Sequence, residues 1–296
     1  MKKKNYLATF AKSFNWAGFF LPKNIYNDCT KLYAFCRVLD DIVDEKTDLE
    51  IRKKKFNEIN NIYKNTYELD NKKSKYLGEN EYEEIVGEII DLADNNNIKR
   101  IILDDLIEGI DSDLKIKVHF RSVKDLLVYS YRVAGTVGLM MAKILSVNDT
   151  RALKGAIDLG IAMQLTNIAR DVIEDQKMNR QYIKPDFENI KATLILADMF
   201  YESSFSSMKK IPFKYRFAII VARRVYRQIG KKIIQKRNIE NYEKSGKIYV
   251  NNFGKIYQTI LSLWDLLKLC FVNIEVHQRI KEYEIINEEI NLDERL

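Results

Sequence analysis

Two acidic segments of the sequence have the residue types and the spacing of a divalent-cation site. Asp40 and Asp44 are four residues apart in the first segment, and Asp171 and Asp175 repeat that spacing in the second. On a helix such residues share one face, with their Cβ atoms about 5–6 Å apart. Like charges at this distance repel, but Mg²⁺ between them removes the conflict and typically completes its shell with water and substrate phosphate. The pattern predicts Mg²⁺, with Mn²⁺ as the alternative, and a substrate that carries a diphosphate.

The surroundings of the acids strengthen this interpretation. Asp40 and Asp44 border the apolar arc of their helix, and the second segment has a polar stripe along an otherwise apolar helix. The stripe consists of Gln164, Asn167, Asp171 and Asp175. One Asp-x-x-x-Asp alone is usually a solvated helix face. Two copies, each with an arginine close by (Arg37 and Arg170), instead indicate the two halves of one site facing each other across a helical bundle.

The elements that must position these residues are helices. Only 3 prolines and 11 glycines occur in 296 residues, and apolar residues recur at spacings of three and four. We therefore expect an all-α fold, with residues 1–296 forming one domain. A first helix should begin soon after Pro22 and carry the first motif, and the second motif should lie in a helix over 153–175. Further helical segments are predicted at 83–114, 123–145, 218–237 and 256–272, with a solvated helix and a loop over 46–82.

Two segments leave alternatives open. In 123–145, Gly135 and Gly138 each weaken a helix by about 1 kcal/mol relative to alanine, which indicates close helix packing or the approach of a ligand. Segment 256–272 is too short for a membrane span of about 20 apolar residues and contains Asp265 and Lys268. We favour a core or bundle-capping helix there over a helix that rests on lipid, so peripheral contact with the inner face of a membrane remains an alternative.

Composition and cysteine usage exclude several classes of protein. The net charge of +7 suits anionic partners, but the lysines are scattered, so nucleic-acid binding is not expected. Two histidines, His119 and His277, are too few for a His-rich zinc site or a Ser-His-Asp triad. The three cysteines lack a paired spacing, which is typical of a cytoplasmic protein, and we expect them in the core. Lys12 interrupts the apolar stretch after the basic amino terminus, so a secretion signal is not expected.

Several longer motifs make the sequence similar to a known family. They occupy residues 12–14, 33–45, 129–141, 164–175 and 180–183. In these motifs and in their order, the chain resembles the squalene/phytoene synthase family, the head-to-head branch of the all-α prenyl synthases. The resemblance extends along nearly the whole chain. It implies a single helical bundle of the isoprenoid synthase type with a central apolar cavity.

The resemblance also implies roles for individual residues. The metal ligands implied are Asp40, Asp44, Asp171 and Asp175, with Asn167 as an additional ligand of metal or diphosphate. Those four acids, Arg37 and Arg170 are the implied catalytic residues. Residues implied to contact the diphosphate or form the pocket are Ser13, Tyr33, Arg37, Asp41, Gln164, Arg170, Tyr226 and Lys247. Phe14 and Tyr129 match cavity-lining positions, for which ordinary core packing is an equal alternative. The chain departs from the family's usual residues at Ala11, Asn179, Lys184 and Lys247.

The reaction that the resemblance implies is a transfer between two prenyl diphosphates, with loss of diphosphate and a cyclopropylcarbinyl diphosphate between the two steps. We favour phytoene from two geranylgeranyl diphosphates, as in carotenoid biosynthesis. Squalene, dehydrosqualene or hydroxysqualene from two farnesyl diphosphates is the alternative. NADPH is not expected, although the lack of a nucleotide-binding fingerprint does not exclude it. An alternative of another class is a non-catalytic helical assembly protein of the same family.

Overall fold

The computed structural model of the protein describes residues 12–69, 80–273 and 277–296. Its α-helices, in chain order, are α1 (Lys12–Gly18), α2 (Lys23–Asp44), α3 (Leu49–Leu69), α4 (Glu81–Asn95), α5 (Arg100–Asp111), α6 (Val123–Ser130), α7 (Thr136–Ile144), α8 (Thr150–Lys177), α9 (Phe187–Ser207), α10 (Phe213–Ile234), α11 (Ile239–Lys244), α12 (Asn252–Phe271) and α13 (Ile280–Asn287). A two-residue parallel ladder pairs β1 (Val118–His119) with β2 (Arg180–Gln181). The predicted all-α class is confirmed.

Helix α8 is the central element, packed against α7, α9 and α10. Asp149 caps its amino terminus by accepting from the backbone N–H groups of Arg151 and Ala152. The apolar residues of α8 join one large core cluster with those of α2, α5 and α10, whereas its polar stripe stays partly exposed. Both predicted motif helices therefore exist, and each has its apolar side in the core.

The glycines of the 123–145 segment serve close packing. A Cβ on Gly138 would lie 2.1 Å from the carbonyl oxygen of Ala156, and one on Gly160 would lie 2.1 Å from that of Ala134. Backbone therefore meets backbone where α7 and the preceding turn lie on α8. That turn is π-helical over Tyr131–Gly135, an interruption of the predicted single helix that the sequence analysis did not anticipate.

Some expectations need correction or lie outside the described residues. Cys29 is buried and Cys36 is half-buried, but Cys270 is exposed, so its expected core position is wrong. The predicted loop near 71–80 falls almost entirely in residues that the structure does not describe. Ala11 and the side chain of Ser13 also lie outside the description.

Segment 256–272 was predicted to be a core or bundle-capping helix, and α12 shows that the core interpretation is wrong. Its apolar side chains at spacings of three and four point to solvent, and we call this stripe the α12 apolar face: Phe253, Ile256, Ile260, Leu263, Trp264 and Leu267. Its polar residues Gln258, Ser262 and Asp265 are buried against the bundle. Within the described ranges, no helix has the length and hydropathy needed to cross a membrane.

Candidate active site

The two acidic motifs meet through Arg180 at the start of β2. Its Nη1 donates to Asp44 Oδ1 at 2.7 Å, and its Nη2 donates to the carbonyl oxygen of Val43 at 3.3 Å. The same guanidinium interacts electrostatically with Asp175 near the end of α8 and with Asp113, which follows α5. The carboxyl end of α2 and that of α8 therefore lie close together, whereas the predicted binding of a cation between the two motifs stays a prediction.

Asp40 lies in an environment that disfavours its charge. Its side chain is accessible to water and yet is surrounded by protein atoms, as expected for a residue that lines a recess. Desolvation, helped by repulsion from Asp44, raises the pKa of Asp40 to about 7, although Arg37 opposes the shift. A cation placed next to this carboxylate would remove the conflict.

Asp175 shows the same behaviour on the opposite helix. Desolvation is the largest cause, followed by repulsion from Asp171, and together they raise the pKa of Asp175 to about 8 against the effect of Arg180. Asp44 and Asp113 add to the repulsion. Each motif therefore contributes one carboxylate whose ionised form lacks sufficient positive charge around it.

Basic side chains lie beside both acidic motifs. Arg37 Nη2 is 2.5 Å from Asp41 Oδ1, and Arg170 binds Asp171 through Nε, at 2.8 Å, and through Nη2. Burial opposes the charge of Arg170, but the pair with Asp171 outweighs it and raises the pKa of this guanidinium. Lys247 Nζ approaches Asp171 Oδ1 at 3.4 Å and is well exposed. These three basic side chains are the ones for which the sequence predicts contact with a diphosphate, and the fold brings all of them to the aspartates of the two motifs.

Asn167 provides an independent indication of a ligand. Its Oδ1 is buried and makes no hydrogen bond within the described part of the chain, while its Nδ2 lies 3.4 Å from Gln164 Oε1. A buried acceptor without a donor is costly. Bound Mg²⁺ would satisfy this oxygen, so the residues present fit the predicted metal.

The acids do not form a closed cage. In the described ranges, no group of three or more His, Cys, Asp or Glu side chains is arranged to hold a metal ion. A cation between these motifs would therefore need further oxygens from water and substrate phosphate, which is the usual coordination of Mg²⁺. The assignment of Asp40, Asp44, Asn167, Asp171 and Asp175 as ligands remains a prediction.

Aromatic residues connect α1 and α10 to the site. The rings of Phe14 and Tyr226 are 5.0 Å apart, and the buried hydroxyl of Tyr226 interacts with Arg170 and Asp171. Tyr33 on α2 interacts with Tyr226, Arg37 and Asp40, and desolvation raises its pKa to about 12. Their predicted contacts with substrate are untested, but the fold does bring these three aromatic residues to the acidic motifs.

One wall of the site is anchored by Asp113, a residue for which the sequence predicted no role. Asp113 is 7% exposed and accepts hydrogen bonds of 2.7 Å from the hydroxyls of Tyr129 and Tyr182, whose rings stack at 4.8 Å. Tyr129 therefore holds Asp113 from within a buried cluster, and its predicted contact with substrate stays a prediction. No spacing signal marked Asp113, since it stands in a short loop between α5 and β1.

The turn before Arg180 explains one departure from the family pattern. Asn179 has φ of 58°, a left-handed conformation that asparagine tolerates better than most residues and that glycine adopts freely. Its carbonyl oxygen accepts from the N–H of Val118 at 3.0 Å and so begins the β1–β2 ladder. The substitution of asparagine for glycine thus preserves the turn that directs Arg180 to Asp44.

A hollow of about 210 Å³ lies elsewhere in the bundle, lined by residues that include Ser203, Ser207 and His277. None of the predicted site residues lines it. The central apolar cavity for prenyl chains therefore remains a prediction.

Known proteins are similar to this chain over most of its length. A sequence model of the family described as squalene/phytoene synthase matches residues 7–186. The 15-cis-phytoene synthase of Paracoccus sp. is 31% identical over 280 residues, covering 87% of this chain and 88% of the relative. The enzyme of the same name from Pantoea ananas is 30% identical over 252 residues, covering 77% and 80%.

Solved structures support the same fold. A dehydrosqualene synthase in complex with ligand superposes with a TM-score of 0.70 at 24% identity, covering 88% of this chain and 94% of that one. A squalene synthase from Alicyclobacillus acidocaldarius gives a TM-score of 0.61 at 15% identity, covering 80% and 91%. The bundle is thus an isoprenoid synthase fold.

Proposed function

The chain belongs to the squalene/phytoene synthase family, and we propose that its two facing acidic motifs bind prenyl diphosphates through Mg²⁺ and join two of them head to head. The observation that carries this proposal is the meeting of the motifs. Arg180 pairs with Asp44, and Asp175 interacts with the same arginine from the opposite helix. The raised pKa values of Asp40 and Asp175 support the proposal, because positive charge bound next to these carboxylates would favour their ionised forms.

In the first step, the allylic C–O bond of one substrate breaks and the diphosphate leaves with the electron pair. Mg²⁺, when bound, would supply positive charge to the leaving diphosphate. Arg37, Arg170 and Lys247 are placed to donate hydrogen bonds to its oxygens, which stabilises charge as it develops. The planar guanidinium groups suit two oxygens at once, whereas Lys247 provides a point charge on the exposed side.

In the following steps, the double bond of the second substrate attacks the allylic cation, and loss of a proton gives the cyclopropylcarbinyl diphosphate. A second C–O cleavage, rearrangement and proton loss then yield the product and the second diphosphate. Cations of this kind react with water, so the reacting carbons need apolar surroundings. Phe14, Tyr33 and Tyr226, which lie next to the basic groups, would provide part of that wall.

We propose two geranylgeranyl diphosphates as substrates and phytoene as product. Relatives of this length that are named 15-cis-phytoene synthase support the choice. Two farnesyl diphosphates are the second candidate, because a 4,4'-diapophytoene synthase of Staphylococcus haemolyticus is 32% identical over 177 residues, covering 58% of each chain. A non-catalytic role is disfavoured, since both acidic motifs keep all of their outer aspartates.

Product analysis tests the proposal. The purified chain would be incubated with Mg²⁺ and either C15 or C20 diphosphate, with and without NADPH, and the hydrocarbons would be identified by mass spectrometry. We expect phytoene from the C20 substrate, without a requirement for NADPH. If only the C15 substrate gives a product, farnesyl diphosphate rather than geranylgeranyl diphosphate is the substrate. Absence of product from both substrates, with the protein folded, would refute the enzymatic proposal.

A further inference from the structure

The α12 apolar face is exposed to an extent unusual for a single helix. Phe253 is 83% exposed, Ile260 58% and Trp264 59%, and the stripe continues over the length of the helix. Phe19, which is 71% exposed, extends the stripe, because its ring lies 6.5 Å from that of Trp16, which in turn bonds to α12. Contiguous exposed apolar surfaces of this kind mark sites of interaction with a protein or a membrane.

Buried polar contacts fix the orientation of α12. Arg224 on α10 donates to Asp265 Oδ2 at 2.5 Å and to Gln258 Oε1 at 3.1 Å, and Trp16 Nε1 donates to Thr259 Oγ1 at 3.0 Å. Rotation of α12 to bury its apolar side would leave the ion pair between Arg224 and Asp265 broken, at a high energetic cost. The apolar face is therefore held outward by the packing of the opposite face.

The exposed charge on α12 itself is positive. Asp265 is the only acidic residue of α12 and it is buried, whereas Lys268 is exposed. The neighbouring helix α10 contains no Asp or Glu, and its Lys214 and Lys231 are exposed. A second copy of the chain docked by the same face about a two-fold axis would bring these like charges together. An anionic lipid surface instead complements an apolar stripe with a basic rim.

We propose that the α12 apolar face rests in the interfacial region of an anionic lipid bilayer. Its aliphatic and aromatic side chains enter the boundary between headgroups and acyl chains, and the lysines contact lipid phosphates. Many amphipathic helices fold only when they bind a membrane. Helix α12 is already folded, because its polar face packs on the bundle and its apolar face is thereby exposed. Binding therefore does not require α12 to fold on the membrane.

The position of the face also bears on substrate entry, a point that rests on the proposed function. Lys247, which contacts Asp171, is five residues before Asn252, so chain length keeps their Cα atoms within about 18 Å. Through Lys247, the acidic motif of α8 thus lies near the amino terminus of α12. Prenyl diphosphates, which have an anionic head and a long apolar tail, would collect in the same interfacial layer.

Vesicle flotation with the full chain tests the proposal. We expect the protein to float with phosphatidylcholine vesicles that contain phosphatidylglycerol, and to float less with phosphatidylcholine alone. Ile260→Gln should lower the partition coefficient roughly tenfold. The substitution removes the favourable transfer of an isoleucine side chain from water into lipid. The matched control is Ile195→Gln on α9. This isoleucine is 51% exposed, similar to Ile260, but it is not part of the α12 apolar face. The substitution should change the partition coefficient by less than about twofold.

Fluorescence provides a second readout. The chain has two tryptophans, and only Trp264 lies on the proposed contact, so vesicles should shift its emission to shorter wavelength and Trp264→Phe should remove the shift. Failure of the wild type to float, or equal loss in both isoleucine variants, would overturn the proposal. If the protein does not bind vesicles but forms a dimer in solution, and Ile260→Gln dissociates that dimer, the α12 apolar face is instead a contact with a second copy of the chain. Turnover in detergent should be equal in all variants, which separates this test from that of the enzymatic function.

Discussion

Individual carboxylates of the site are held in an unfavourable state that a ligand would relieve. Asp40 and Asp175 both lose hydration and face a second carboxylate one helical turn away. The orphaned Oδ1 of Asn167 lies in the same polar stripe as Asp171 and Asp175. Burial without compensation is typical of functional sites, where surrounding packing maintains a strained local arrangement.

The raised pKa of Asp175 predicts a pH-dependent cost to the metal-free protein. The folded state keeps the proton up to about pH 8, whereas the unfolded state releases it near 3.8, so the folding stability should fall as pH rises between these values. Asp175→Asn removes this cost. Relative to the wild type in EDTA, we expect the melting temperature of the variant to rise progressively from pH 5 to pH 8.5. A difference that does not change with pH would contradict this account.

Activity should depend on Asp40 in a way that folding does not. In the proposed mechanism, the charge of Asp40 holds Mg²⁺ against the diphosphate, so we expect Asp40→Asn to lower kcat by about 100-fold or more. The matched control is Asp28→Asn on the same helix, where the carboxylate forms an ion pair with Lys31, away from the acidic motifs. Circular dichroism should be unchanged in both variants, and only Asp40→Asn should lose turnover. Normal turnover of Asp40→Asn would remove this residue from the site.

At the scale of elements, the close approach of α8 to the π turn fixes the wall of the bundle. Gly160→Ala would place a methyl group against the backbone carbonyl of Ala134, so we expect a loss of about 2–3 kcal/mol or more in unfolding free energy. Gly230→Ala on α10 is the control, because its nearest neighbour is the end of Leu194 at 3.1 Å. In a helix, alanine is more favourable than glycine by up to about 1 kcal/mol. This gain should offset the cost of the close contact with Leu194, so we expect little change in unfolding free energy for Gly230→Ala. Chemical denaturation would measure both, and equal effects would disprove the packing argument.

Sequence periodicity identified the elements better than their orientation. Helices α2 and α8 were predicted with their apolar sides in the core, because their acids and apolar residues separate cleanly on the helical wheel. In α12 the same periodicity shows that one face is apolar. It does not show whether that face packs on the protein or is exposed to solvent. Arg224 decides that question from another helix, so local pattern alone could not place Cys270 or Trp264 at the surface.

At the scale of the whole molecule, the site is assembled from elements far apart in sequence. The residues of α2 and α8 were predictable, because paired aspartates and neighbouring arginines form a repeated pattern. Asp113 was not predictable, since its contacts arise only when Tyr129 on α6 and the β2 segment with Arg180 and Tyr182 meet in the fold. A two-residue ladder between segments that are far apart in the chain produces no periodic pattern in the local sequence, so it could not be predicted.

Ligand binding should stabilise the whole bundle cooperatively. In the proposed site, Mg²⁺ alone would find too few protein ligands, and diphosphate alone would be repelled by four aspartates. We therefore expect Mg²⁺ and diphosphate together to raise the melting temperature by more than the sum of their separate effects. Differential scanning fluorimetry would measure this, with Asp171→Asn as the comparison. Additive shifts, or the same synergy in the variant, would argue against a shared site.

The most direct test is a crystal structure with Mn²⁺ and a non-ionising thio analogue of a prenyl diphosphate, read by anomalous scattering. We predict Mn²⁺ peaks between the diphosphate and the carboxylates of both α2 and α8, with Asn167 Oδ1 as a ligand or close neighbour. A diphosphate bound elsewhere, with no ion at Asp40, Asp44, Asp171 or Asp175, would contradict the account.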